Sequence, residues 1–113
     1  MILHIIPAEK FVDRAISLFE KAAPQQNVFY IFSQQEDAKD LNLVKKPESN
    51  QVIKIPFGVT WWKKRYINFS NYKHVFFHNL YSPQNVFYAQ KVSSKIIKHS
   101  IIWGFEFYGF KPF

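Results

Sequence analysis

Residues 2–32, ILHIIPAEKFVDRAISLFEKAAPQQNVFYIF, decide the fold class. Ile2–Ile6 is a short apolar run closed by Pro7, the pattern of a strand buried on both faces. Over residues 8–22 the period changes. Phe11, Ala15, Ile16 and Phe19 fall on one helical face, while Glu9, Asp13, Arg14 and Lys21 fall largely on the other. Pro24 stops the helix. Residues 27–32, NVFYIF, are rich in aromatic and β-branched side chains and read as a second strand. Strand, helix, strand in this order is a β-α-β unit, whose two strands lie parallel.

Residues 33–50, SQQEDAKDLNLVKKPESN, are polar and read as a loop with room for a short helical turn. QVIKI, residues 51–55, alternates and reads as a strand ended by Pro56. Residues 57–72, FGVTWWKKRYINFSNY, are read as a helix, with a strand as the alternative. HVFFHN, residues 74–79, is the next strand. Ser82 and Pro83 then supply a hydroxyl cap and a first-turn proline for a helix to about Lys95, with Lys91 and Lys95 on one edge. KHSIIWGF, residues 98–105, is the last strand, with Gly104 and Gly109 at its exit. Alternating strands and helices predict a parallel sheet with helices on both faces. Strands at 2–6, 27–32, 74–78 and 99–103 should share it.

Composition bounds the function. The 113 residues suit one domain or part of one, and 48% hydrophobic and 19% aromatic content is ample for a core. With no cysteine there is neither a disulfide framework nor a thiolate metal site. His4 interrupts the first apolar run, no basic region precedes it, and no stretch approaches a spanning helix, so a soluble or peripheral protein is expected. The net charge of +7 is lopsided: residues 1–44 carry four basic and six acidic groups, and residues 45–113 eleven and two. A basic surface of this kind points to an anionic partner or to plain solvation.

In an open α/β sheet, ligands bind beyond the carboxyl ends of the strands. His78 and Asn79 stand at one such end, and Trp103 and Gly104 at another, followed by Glu106 between Phe105 and Phe107. A histidine there can orient or deprotonate a hydroxyl. Glu106, opposite in facing to both phenylalanines if extended, is a candidate base or sugar-hydroxyl acceptor. The plain alternatives are a backbone-bonded His78, a turn-forming Asn79, a core Trp103, a Gly104 serving a sharp exit and a solvated Glu106. Neither His78 nor Glu106 is expected to be needed for the core. No metal site is expected: among His4, His74, His78 and His99 no ligand-like cluster with carboxylates stands out, and His74 and His78 lie well apart on one strand face. Three glycines and no Gly-rich phosphate loop nearly exclude a glycine-cradled nucleotide site in this chain.

MILHIIPAEKFVDR, FFHNLYSP and IIWGFEFYG together resemble the beginning of bacterial glycosyltransferases of the 4-acetamido-4,6-dideoxygalactose (Fuc4NAc) transferase family. In that family one strand ends in Phe-Phe-His and a short turn, matched by Phe76, Phe77 and His78. A later strand ends in Trp-Gly, a variable residue, Asp, an apolar residue and Tyr, matched by Trp103, Gly104 and Tyr108. Glu106 stands where the family has Asp, a longer carboxylate. The resemblance implies a Rossmann-like α/β domain, residues 1–113, that is part of the N-terminal, acceptor-side half of a GT-B enzyme. The donor half is then expected to lie outside these residues, so that 1–113 alone do not transfer sugar.

Further expectations come with the resemblance. His78 and Glu106 are the catalytic candidates; Asn79, Trp103, Gly104 and Tyr108 the substrate-binding ones. The partners are a nucleotide-sugar donor, held by the other half, and a lipid-linked saccharide acceptor in cell-surface polysaccharide synthesis, with no cofactor or metal. The setting is cytoplasmic, peripheral on the inner face of the cytoplasmic membrane. Trp61, Trp62, Lys63, Lys64 and Arg65 suit contact with an anionic bilayer; the alternative is that the two tryptophans pack in the core. The competing function is a non-enzymatic nucleic-acid-binding module using the basic segment and aromatic stacking. No nucleic-acid motif accompanies the scattered basic residues, so no nucleic acid is expected.

Overall fold

A computed structural model describes residues 1–56, 69–78 and 94–101. Five strands, β1 (Ile2–Pro7), β2 (Asn27–Phe32), β3 (Val52–Ile55), β4 (His74–His78) and β5 (Ile97–Ile101), form one sheet in the order β3-β2-β1-β4-β5. Every pairing is parallel. This is an α/β, Rossmann-like arrangement, and all four strands expected to share a sheet do so.

Helix α1 (Val12–Ala22) connects β1 to β2. It begins later than the periodicity predicts. The Ala8 N–H donates to the Phe32 carbonyl at 2.7 Å, so the chain holds on to β2 past Pro7 before it coils. Val12 and Ile16 are buried against Ile6, Phe29, Ile31 and Val52, with Phe19 partly buried beside them. Full burial of such a side chain is worth about 1.5–3 kcal/mol. A second core lies on the opposite face, where Leu3, Ile5, Val28, Phe32, Val75 and Phe77 pack with Phe69, Tyr72 and Ile96. Near-continuous apolar strands are what a sheet covered on both faces requires.

The polar stretch 33–50 contains a 3-10 turn at Lys39–Leu43. It is tied back to α1 where the Lys45 and Lys46 N–H groups donate to the Asp13 carboxylate at 2.8 and 3.0 Å. Of the helix expected over 57–72, Phe69–Asn71 is a 3-10 turn, and residues 57–68 lie outside the described residues. So does most of the helix expected from 83 to 95; residues 94 and 95 are in a turn. Strand β5 begins at Ile97, which pairs with His74, one residue before the expected strand 98–105. No helix among the described residues is long and apolar enough to cross a membrane.

Candidate functional site

The strand order places a topological reversal between β1 and β4. The chain steps outward from β1 through β2 to β3, then returns to the other side of β1 as β4 and β5. In such sheets the crevice beyond the carboxyl ends at the reversal is the expected ligand position. His78 is the last residue of β4 and pairs with Ile101, the last of β5. The strands that lead into the two motifs therefore end side by side at the carboxyl edge. Asn79, Trp103, Gly104, Glu106 and Tyr108 lie outside the described residues, as do Trp61, Trp62, Lys63, Lys64 and Arg65.

His78 itself is fully buried, and this corrects the expectation that it is dispensable for the core. Its Nε2 lies 3.0 Å from Nδ1 of His4 on β1, and Nε2 of His4 lies 2.8 Å from Oδ1 of Asn27 at the start of β2. The Asn27 amide nitrogen in turn meets three oxygens near the end of α1: the carbonyls of Ala23 at 2.8 Å and Phe19 at 3.1 Å, and Oε1 of Glu20 at 3.2 Å. Three polar side chains from three neighbouring strands thus form one buried file beneath α1. Burial pushes the His4 imidazole down to about 4, against the smaller upward pull of its bond to Asn27 and of the Glu20 carboxylate. Burial, reinforced by the neighbouring His4, pushes His78 down to about 3. Both rings are neutral at physiological pH.

Around this file runs a row of rings. Phe29, His4, Phe76 and His99 occupy matching positions on β2, β1, β4 and β5. They stack successively at centroid distances of 4.5, 5.2 and 4.3 Å, with planes within 20° of one another. Phe19 of α1 closes on His4 edge-on at 4.4 Å. Such pairs add about 0.5–1.5 kcal/mol beyond area burial. His74 and His99 make a second imidazole pair, Nδ1 to Nε2 at 2.9 Å, half-buried between β4 and β5. All four histidines of the chain therefore lie on the α1 side of the sheet, in two hydrogen-bonded pairs. Among the described residues no three His, Asp or Glu side chains group as metal ligands.

A separate open cleft of about 360 Å³ lies at the carboxyl edge on the β1–β2 side, lined by Ala8, Lys10, Gln34, Asp40 and Leu43 among others. Asp40 is buried there and accepts from Ser33 Oγ and the Gln34 N–H, both at 2.6 Å. The Lys10 ammonium sits 5.1 Å over the Phe11 ring, a cation–π contact.

The place of His78 at the edge was legible in the sequence; its partners His4 and Asn27 were not. The available signal was polarity at inward-facing positions: a histidine within ILHII and an asparagine opening NVFYIF. No family model, curated protein or solved structure matches this chain.

Proposed function

We propose that residues 1–113 are the acceptor-side region of a glycosyltransferase. It moves a sugar from a nucleotide-sugar donor to a lipid-linked saccharide in cell-surface polysaccharide synthesis, at the inner face of the cytoplasmic membrane. One observation carries the reading: β4 and β5 are parallel neighbours, with His78 opposite Ile101, beside the reversal of strand order. The motifs FFHN and IIWGFEFY continue from those two ends. Loops at the carboxyl edge are where such sheets carry their ligands. In this reading Glu106 serves the acceptor hydroxyl, His78 being fully buried, and Asn79, Trp103, Gly104 and Tyr108 hold the saccharide.

Binding of the acceptor class tests the reading. A polyprenyl-diphosphate-linked saccharide in detergent, titrated into isotopically labelled chain, should shift the amide signals of Phe77, His78 and Ile101 more than those at the amino ends of the strands. Absence of any shift at that edge counts against it. Tight binding to random single-stranded DNA, with a steep salt dependence, would favour the nucleic-acid alternative instead.

A further inference from the structure

We infer that Asn27 and His4 are positioning residues for His78: together they fix its ring as the Nε2–H tautomer, with Nδ1 left as the bare, hydrogen-bond-accepting nitrogen. The constraint begins at α1. All three partners of the Asn27 nitrogen are oxygens that can only accept, so that nitrogen is the NH2 group and the amide has one orientation. Its Oδ1 then faces Nε2 of His4 at 2.8 Å and must accept, so His4 carries its proton on Nε2. A neutral imidazole with Nε2–H has a bare Nδ1. That nitrogen faces Nε2 of His78 at 3.0 Å, so His78 must donate from Nε2. Each step leaves one choice because both rings are buried.

The file therefore transmits an orientation from the carboxyl end of a helix to the carboxyl end of β4. It is not a proton wire, since it terminates on an amide that holds its hydrogens. An orienting group that sets a histidine's tautomer is how polar sites hold a ring ready for chemistry. The functional use rests on the acceptor-side reading: His78 is fully buried, so its fixed ring serves that edge by holding the carboxyl end of β4 in one orientation. The stacked neighbours Phe29 and Phe76 hold the His4 plane, so the tautomer and the ring orientation are set together.

Two-bond proton–nitrogen spectra of the histidine-labelled chain at pH 7 test the assignment, because they distinguish a protonated ring nitrogen from a bare one. The expected spectrum has His4 and His78 each as a single tautomer, protonated at Nε2. In His4→Phe, which keeps an aromatic ring in the stacked row, His78 should lose its single-tautomer signature, with Nδ1–H appearing. Asn27→Leu should do the same to both histidines. Protonation of His78 at Nδ1 in the unaltered chain overturns the inference, and that measurement needs no variant to fold. An unchanged His78 tautomer in a folded His4→Phe chain overturns it equally. The spectra contain no substrate, so a wrong tautomer leaves the acceptor-side reading untouched. Failure of the saccharide to bind overturns that reading and leaves the tautomer standing.

Discussion

His4 Nδ1 and His78 Nε2 lie 3.0 Å apart across the adjoining strands β1 and β4, and both rings are fully buried. Two imidazoles can share one N–H between facing nitrogens. A second added proton leaves two donors facing each other, so the pair is a contact that acid breaks.

Stability should fall as pH falls through the histidine range. His4 and His78 bind protons less readily folded than unfolded, about 4 and about 3 against 6.5. The unfolded chain therefore takes up more protons below pH 6.5. The stabilisation is full above that value and is lost progressively toward pH 4. Each proton costs about 1.4 kcal/mol per pH unit, and two are taken up by the unfolded chain below pH 6.5, so the pair should lose on the order of 6 kcal/mol between pH 7 and pH 4. Glu20 on α1 opposes this weakly while it remains ionised. Urea unfolding at intervals across that range checks the slope, which should flatten in His4→Phe. A profile that is flat from pH 7 to pH 4 would refute the assignment.

Asn27→Asp should destabilise the fold more than its single-atom change implies. The carboxylate would face the Phe19 and Ala23 carbonyls and Glu20, all acceptors, where the amide now donates. Relative to the unaltered chain at the same pH, a loss on the order of 3 kcal/mol is expected at pH 7, and a smaller one on acidification as the new carboxyl protonates. Denaturation midpoints at pH 7 and pH 5 measure both.

Asp40→Asn should loosen the cleft wall locally. The amide keeps one acceptor oxygen for the two donors that Asp40 now receives, Ser33 Oγ and the Gln34 N–H. About 1–2 kcal/mol should be lost. Faster hydrogen exchange at the Gln34 amide, with unchanged exchange in β1, is the expected signature. Uniform acceleration throughout the sheet would mean that Asp40 supports the whole fold.

If Trp61, Trp62 and the Lys63–Arg65 run contact a bilayer, the chain should sediment with anionic vesicles and be released by salt. Replacing Lys63, Lys64 and Arg65 by Gln should weaken that binding by about two orders of magnitude, at about 1 kcal/mol per basic residue. Equal binding to neutral vesicles would remove the electrostatic argument.

The β-α-β opening, the parallel sheet and the strand spans near 2–6, 27–32 and 74–78 were legible from local pattern. An apolar run ended by Pro7, an amphipathic helix stopped by Pro24, and the change of period between them are consequences of backbone geometry that neighbouring residues alone dictate. The start of β5 was less legible. Lys98 and Ser100 are exposed in an edge strand, so no apolar alternation marks its first residues. The late start of α1 depends on a hydrogen bond to β2, which local sequence does not reveal. The file of Asn27, His4 and His78 belongs wholly to the tertiary structure. Its members are 23 and 74 residues apart along the chain, and they meet because β1 lies between β2 and β4. Sequence could mark His4 and Asn27 as polar residues in apolar strands. Only the strand order, and a helix laid over that face, removed the water that would otherwise have satisfied each of them separately, and so obliged them to satisfy one another.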